Sequence, residues 1–208
     1  MSQRPDAGPP TVAAAILAGG LARRMAGENK AILRIGDRRI IDGQLALLRQ
    51  VADPVFVVSE RRAAFEDLGV TVASDVIPGA GALGGIYSAI LSSPHPRILV
   101  VACDMPFLTL PLLQRLTAPS DADLVIPRST RGYEPLCATW SAACAPAIRR
   151  RIDRGLLKAA LLTEDLRVEE IGPEALASCD SHGLLFVNVN TPHDYERAQE
   201  LSRLKSNG

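Results

Sequence analysis

The amino-acid sequence predicts an α/β protein of three layers, with helices on both faces of a mostly parallel sheet. Short apolar runs alternate with helical patterns through the first half of the chain, and a glycine or polar residue follows each run closely. That alternation is typical of parallel sheets, whose strands are covered on both faces. The apolar runs that we expect to be strands are Val12–Leu17, Val55–Val58 and residues 70–73 and 97–101.

Length and charge restrict the class of protein. The 208 residues fit one domain, and we expect residues 1–10 to form a disordered tail ahead of a single domain over residues 11–208. Lys and Arg together number 23, as do Asp and Glu, so no overall field draws the chain to nucleic acid or to a membrane surface. Any phosphate site must therefore be a local concentration of charge.

Cysteine usage and hydropathy favour a cytoplasmic protein. The four cysteines include no C-x-x-C pair, which favours reduced thiols over disulfides. No apolar run approaches the ~18 residues that suggest a membrane-spanning helix. We therefore expect no membrane partner.

The remaining elements follow in chain order. Residues 40–51 have one apolar helical face, and Thr109 is placed to cap the helix behind it. Thr191 and Pro192 are suited to be the N-cap and the first residue of the last helix. Beyond these, we expect helices over 61–68, 86–91, 109–116, 143–152 and 195–204, strands over 124–126 and 186–190, and an extended segment over 132–140.

The first expected strand ends at a glycine pair that cations follow. Gly19 and Gly20 let the backbone approach a ligand closely, since no Cβ stands in the way, and Arg23, Arg24 and Lys30 come next. Backbone N–H groups and side-chain cations at such a turn suit a phosphate, although a tight turn alone would also account for the glycines. The spacing fits neither the Walker A loop nor the dinucleotide fingerprint.

Two further groups follow expected strands. Asp75 lies just beyond residues 70–73, where an open α/β sheet places ligand-binding groups. A glycine-rich loop over residues 78–85, which includes Gly81 and Gly84, then opens a helix. A helix N-terminus favours an anion or a nucleobase, whereas a flexible connector is the alternative interpretation.

Asp104 follows the clearest apolar run of the chain, and Pro106 stops a helix from continuing behind it. Its carboxylate is therefore expected at the carboxyl edge of the sheet, where it can join phosphate oxygens and water in the octahedral shell of Mg²⁺. As a helix cap it would be misplaced, because Thr109 is better positioned for the next helix. The residues thus indicate Asp104 as a metal ligand.

Two features of the second half have more than one interpretation. Alternation in residues 186–190 places Asn188 and Asn190 on one face of a strand, or else both asparagines are turn formers. A run of arginines is either a solvated helix face or a docking site for an anionic second substrate. These arginines are Arg149, Arg150, Arg151 and Arg154, with Lys158 beyond them.

A series of motifs over about residues 12–201 resembles those of the molybdenum cofactor guanylyltransferases, a family of Rossmann-like nucleotidyltransferases. The first motif departs from the family pattern at Ala26, where a second glycine is usual, and at Asn29, where an aspartate is usual. Ala82 replaces a proline in the second. The matching residues are Leu17, Ala18, Gly19, Gly20, Arg24, Met25, Gly27 and Lys30, then Gly81, Leu83 and Gly85, then Cys103, Asp104 and Pro106, then Glu134, Pro135, Leu136 and Ala138, and finally Phe186, Asn188, Asn190, Thr191 and Pro192.

The resemblance implies transfer of GMP from GTP to the phosphate of molybdopterin-bound molybdenum cofactor, with release of pyrophosphate. It implies that Lys30 and Arg24 face the β- and γ-phosphates, and that Asp104 holds Mg²⁺ between them. Cofactor-delivery proteins and apo-molybdoenzymes are the protein partners that such an enzyme would have. The residues expected to bind the nucleotide or to line its cleft are Leu17, Ala18, Gly19, Gly20, Lys30, Ser59, Asp75, Gly81, Gly84, Asp104, Asn188 and Asn190.

The choice of base stays open at this point. Ser59 stands about where an asparagine in a well-studied branch of the family meets guanine, and serine offers less recognition of the amide type. A cytidylyltransferase acting on the same cofactor, or a sugar-1-phosphate nucleotidyltransferase, is an alternative. A non-catalytic nucleotide-binding partner of molybdoenzymes is another, which the loss of Asp104 or Lys30 would have favoured; the chain has both.

Overall fold

Residues 12–19, 30–180 and 182–206 are described by the computed structural model, which folds them into a central sheet with helices on both faces. The strands are β1 (Val12–Leu17), β2 (Arg34–Ile35), β3 (Arg38–Arg39), β4 (Val55–Val58), β5 (Val72–Ala73), β6 (Arg97–Ala102), β7 (Leu124–Ser129), β8 (Gly132–Tyr133), β9 (Cys137–Ser141) and β10 (Val168–Ile171). The α-helices are α1 (Ile40–Leu48), α2 (Gly81–Ser92), α3 (Leu110–Thr117), α4 (Ala145–Asp153), α5 (Pro173–Ala177) and α6 (Pro192–Ser206). Short 3-10 helices cover Lys30–Ile32, Arg62–Leu68, Ala142–Cys144 and Ala159–Glu164.

The main sheet has the order β10-β7-β9-β6-β1-β4-β5, and β8 pairs with β7 at its side. Strand β9 runs antiparallel to both of its neighbours, while the β10–β7, β6–β1, β1–β4 and β4–β5 pairs are parallel. The mostly parallel α/β sheet predicted from the strand–helix alternation is therefore confirmed. A separate small hairpin pairs β2 with β3.

Strand β1 lies inside the sheet, and its position explains the run of alanines. Residues 12–16 are at most 4% exposed, because β4 and β6 flank the strand and helices cover both faces. Ala14 and Ile16 belong to a core that includes side chains of α1 and α3. Ala13 and Ala15 belong to a second core, with side chains of α2 and α4. Because separate cores lie on the two faces of this strand, the structure has the expected three layers of helix, sheet and helix.

A third, smaller cluster joins α6 to the loops at the carboxyl edge of the sheet. It contains Ile40, Phe107, Val189 and Ala198. Beside it, the side-chain amide of Gln199 accepts a hydrogen bond from the backbone N–H of the β2–β3 turn and donates one to a β2 carbonyl, both at 2.9 Å. The C-terminal helix therefore holds the hairpin that follows Lys30.

Several boundaries differ from those predicted. Helix α2 begins at Gly81, so the glycines of the expected loop belong largely to the first turn of the helix. The strand expected over residues 186–190 is wrong: Val187 N–H donates to the Leu184 carbonyl in a turn, and Val189 N–H donates to a loop carbonyl instead of to a strand. Thr109 precedes α3, but its hydroxyl donates to the Cys179 carbonyl at 2.9 Å and does not cap the helix.

Other expectations concern the cysteines, the termini and the membrane. All four cysteines are free thiols, as predicted. The tail expected over residues 1–10 lies outside the described residues. Within the part of the chain that is described, no helix is long and apolar enough to cross a bilayer.

Gly84 allows α2 to lie against the loop that precedes it. A Cβ at this position would stand 2.9 Å from Cβ of Ala80 and 3.1 Å from the carbonyl oxygen of Ile77. At Gly43, in the middle of α1, the nearest atom to an added Cβ is Cδ of Arg38 at 3.7 Å. A methyl group would therefore overpack at Gly84 but not at Gly43, so the two glycines form a matched pair for a test.

We predict that Gly84→Ala lowers the free energy of unfolding by about 1–3 kcal/mol, because the methyl group overpacks the start of α2. Gly43→Ala should raise it by up to about 1 kcal/mol, because alanine has the higher helix propensity. Urea unfolding of both variants measures the difference. A stabilising effect of Gly84→Ala would contradict the close packing at the start of α2.

Candidate functional site

The parallel register brings the ends of four strands to one edge of the sheet. Leu17 at the end of β1 lies opposite Val58 of β4 and Ala102 of β6, and Val58 lies opposite Ala73 of β5. The four strands therefore end at the same level, and the loops that follow them begin side by side. The segments that follow are Ala18-Gly19, Ser59-Glu60, Ser74-Asp75 and Cys103-Asp104, which hold five of the predicted site residues.

The start of the glycine loop is open. Gly19 is exposed, and a Cβ added there would meet no described atom within 4 Å. Gly20 and Arg24 lie outside the described residues, and so does the side chain of Lys30, whose backbone begins a 3-10 helix. The phosphate contacts expected of these three residues stay predictions.

Ser59 is 1% exposed, and its hydroxyl makes two hydrogen bonds within the protein. Oγ donates to the carbonyl of Ala18 at 3.2 Å and accepts from the backbone N–H of Arg61 at 3.1 Å. A hydroxyl that has already donated its proton has none to give to a base. The geometry therefore favours Ser59 as a link between β4 and the start of the glycine loop over the expected base contact.

Asp75 fixes the entry to α2. Its Oδ1 accepts a hydrogen bond from Oγ of Ser88 at 2.8 Å and from the N–H of Ile77 at 3.1 Å. Its own N–H donates to Oε1 of Glu60 at 2.7 Å. Ser88 is fully buried, so this carboxylate is anchored against the helix that the glycine segment opens.

Helix α2 comes close to the end of β1. A Cβ on Gly85 would lie 3.1 Å from Cδ1 of Leu17, so a larger residue would require the Leu17 side chain to move. Gly81 begins the helix with a φ of +60°, and a Cβ there would meet no described atom within 4 Å. The first turns of α2 thus stand beside the end of β1, with open space at Gly81.

The turn that carries Asp104 is tied to the segments on either side of it. Cys103 N–H donates to the Leu17 carbonyl at 3.1 Å, and Val189 N–H donates to the Asp104 carbonyl at 2.9 Å. Oδ1 of Asp104 is shielded from solvent. The backbone of this turn therefore connects the end of β1 with the C-terminal segment before α6.

Asn188 and Asn190 are divided between two local environments. Oδ1 of Asn188 is buried and accepts no hydrogen bond from the described residues. The N–H groups of Asn190 and Thr191 donate to Oδ2 of Asp194 at 3.1 and 2.9 Å, and Asp194 N–H donates to the Thr191 hydroxyl at 3.1 Å. This reciprocal capping of α6 confirms the predicted N-cap. The hydrogen bonds, that with Thr191 first, hold the pKa of Asp194 below its usual value.

The oxygens near this turn fit Mg²⁺. The carboxylate of Asp104 is a hard oxygen ligand of the kind that Mg²⁺ binds, and the Val189–Asp104 bond joins its turn to the segment that carries Asn188. Among the described residues, no group of three or more His, Cys, Asp or Glu side chains could hold a metal ion. Mg²⁺ commonly takes one or two carboxylates, and phosphate oxygens and water complete its shell. A site with a single aspartate therefore suits an ion that arrives with a nucleotide.

A cavity of about 370 Å³ lies on the β7 side of this turn, between the β7–β8 turn and residues 183–188. Arg131 and Arg197 both line it. Arg131 donates to the Phe186 carbonyl and lies 3.7 Å from a carboxylate oxygen of Glu134. Arg197 is exposed and makes no hydrogen bond or ion pair with the described residues. Sequence patterns missed these arginines because each is isolated in the chain and the cavity forms from distant segments.

The arginine run on α4 is partly used inside the protein. Arg149 pairs with Asp153 at 2.9 Å. Arg151 pairs with Asp165 at 2.8 Å and donates to the Leu161 carbonyl at 2.8 Å. These contacts favour the structural interpretation for two of the four arginines, while Arg150 and Arg154 are exposed.

Comparisons with known proteins agree with this geometry. A family model, the MobA-like NTP transferase domain, matches residues 14–168. A molybdenum cofactor guanylyltransferase from Desulfosudis oleivorans is 31% identical over 186 residues, which are 88% of this chain and 92% of that protein. A probable molybdenum cofactor guanylyltransferase from Pelotomaculum thermopropionicum is 32% identical over 194 residues, 93% and 94% of the two chains. The crystal structure of molybdopterin-guanine dinucleotide biosynthesis protein A from Archaeoglobus fulgidus has a TM-score of 0.78 and 27% identity, and the match covers 92% of this chain and 99% of that one.

Proposed function

The chain belongs to the family of MobA-like NTP transferases, and we propose that it is a molybdenum cofactor guanylyltransferase, which transfers GMP from GTP to the cofactor and releases pyrophosphate. The observation that carries the proposal is the position of Asp104 at the end of β6, directly beside the strand that leads into the glycine loop. The names of the two relatives support the choice of guanine and of the molybdenum cofactor.

The nucleotide belongs on the β1–β4–β5 side of Asp104. That side holds the start of the glycine loop, the N-terminus of α2 and the anchored carboxylate of Asp75. Lys30 and Arg24 would face the β- and γ-phosphates and stabilise the charge that develops on the leaving pyrophosphate. Asp104 would hold Mg²⁺, whose chemistry is neutralisation of phosphate charge.

The second substrate belongs in the cavity lined by Arg131 and Arg197. An in-line displacement needs the attacking and leaving oxygens on opposite sides of the phosphorus, and this cavity lies across Asp104 from the nucleotide side. Its arginines suit the phosphate of the attacking substrate, and Oδ1 of Asn188 can accept an N–H of a heterocycle. The attacking phosphate is a dianion near neutral pH, so the protein mainly supplies position.

Nucleotide selectivity is the direct test of the proposed function. We expect GTP with Mg²⁺ to raise the thermal midpoint more than CTP, ATP or UTP at equal concentration. A ligand at 100 times its Kd adds about 2.7 kcal/mol to the free energy of unfolding, which is easily measured. A larger shift with CTP would favour the cytidylyltransferase alternative, and no shift with any nucleotide would contradict nucleotide transfer.

Asp104→Asn should leave the fold intact and reduce turnover by about 10²-fold or more, because the amide lacks the negative charge that would hold Mg²⁺. Asp121→Asn is the matched control, since Asp121 is exposed and precedes β7 at the other edge of the sheet. Steady-state assays at saturating Mg²⁺ and circular dichroism measure both variants. Near-wild-type turnover of Asp104→Asn would show that the metal assignment is wrong.

Arg197→Glu should raise the KM for the molybdenum cofactor and leave GTP affinity unchanged, because it reverses a charge in the cavity and removes no described contact. Arg203→Glu is the control, since it reverses an exposed charge on the same helix that does not line the cavity. The effect should shrink as salt rises, because interactions between exposed charges are largely screened beyond about 8 Å at physiological ionic strength and over shorter distances at higher salt. Equal KM values for the two variants would move the search to Arg150, Arg154 and Lys158.

A further inference from the structure

We propose that Gln44 is a positioning residue, whose side chain holds the turn of Asp104 in place for metal binding. The inference rests on the proposed function, because it assumes that Asp104 binds the metal. Gln44 comes from α1 and is 2% exposed. Its Nε2 donates to the carbonyls of Ala102 and Met105, at 2.8 and 3.0 Å. Those two carbonyls stand on either side of Cys103-Asp104, so one amide group holds both ends of the turn.

The surroundings fix which way the amide of Gln44 points. Carbonyl oxygens only accept hydrogen bonds, so the NH₂ group must face Ala102 and Met105. Both of its protons are then used. Oε1 is left buried and accepts no hydrogen bond from the described residues. A buried acceptor without a partner carries a free-energy cost, so a glutamine here is expected only where its two donors serve a purpose.

That purpose is a well-defined position for Asp104. The other anchors of the turn described above are backbone groups, namely the bonds from Cys103 N–H to Leu17 and from Val189 N–H to Asp104. A side-chain substitution leaves these backbone groups in place, whereas a substitution of Gln44 can remove its two N–H donors. Without them, the turn keeps its ends in the sheet and the C-terminal segment but loses its support from α1.

Gln44→Met tests the proposal, because methionine has a similar length and no donor. Ile41→Val is the matched control, since Ile41 is fully buried in the same core, on the same helix. The probe is Mn²⁺ in the presence of GTP, followed by electron paramagnetic resonance, since Mn²⁺ prefers the same oxygen ligands as Mg²⁺. We expect Gln44→Met to weaken Mn²⁺ binding about 10-fold or more, as is typical when the support of a metal ligand is lost. Ile41→Val should leave Mn²⁺ binding unchanged.

Hydrogen exchange gives a second readout that needs no metal. The backbone amides of the Asp104 turn should exchange faster in Gln44→Met than in wild type, while amides in the centre of β6 should not change. The proposal would be overturned if Gln44→Met had the same exchange rates at this turn and the same Mn²⁺ affinity as wild type. Global unfolding of Gln44→Met, with Gln44→Leu unfolded as well, would also overturn it, because Gln44 would then serve the stability of the whole domain.

Asp104→Asn in the same titration separates this inference from the proposed function. If Asp104→Asn loses Mn²⁺ binding and Gln44→Met keeps it, Asp104 is the metal ligand and Gln44 is not its positioning residue. If Asp104→Asn binds Mn²⁺ as wild type does, the metal assignment fails. In that case, faster hydrogen exchange at the turn in Gln44→Met would still show that Gln44 supports the turn. Unchanged exchange would show that Gln44 does not support it.

Discussion

The register of β1 with its two parallel neighbours is the constraint on which the rest of the structure depends. Leu17 pairs with Val58 on one side and with Ala102 on the other, so the loops after these strands leave the sheet at one height. A slip of one residue would turn every side chain of the strand to the opposite face. The alanines of β1 let helices approach both faces closely, and the fixed register then sets where Asp104 stands relative to the glycine loop.

Buried polar side chains connect this sheet to the loops of the site. Four polar residues are buried among those described, namely Gln44, Ser59, Ser88 and Thr139. The first three bond to groups in the segments that follow β6, β1 and β5. A hydrogen bond contributes only about 0.5–1.5 kcal/mol net, so apolar burial must supply most of the stability. What these three side chains contribute is the geometry of loops that would otherwise be held by their ends alone.

Patterns within the sequence predicted the features that depend on local periodicity, and contacts between distant residues decided the rest. The bounds of β4 and the placement of Asp104 after β6 followed from apolar runs. The start of α2 at Gly81 did not, because glycine is a poor helix former, and the close packing of Gly84 and Gly85 against distant atoms leaves no mark in the local sequence. The alternation in 186–190 arises because Val187 and Val189 pack in one cluster, without a strand. Gln44 gave no signal, since its partner Ala102 lies 58 positions away.

The C-terminal segment supports parts of the site that lie far apart in the sequence. Val189 packs in the cluster with Ile40 and Phe107 and donates its N–H to Asp104, while Gln199 holds the hairpin that follows Lys30. Phosphoryl transfer depends on position more than on covalent chemistry, so a site whose parts come from both ends of the chain needs such a connection. Because the same segment also forms one wall of the arginine-lined cavity, α6 and the residues before it contact the cavity, the Asp104 turn and the hairpin after Lys30, and so help to fix the relative positions of all three.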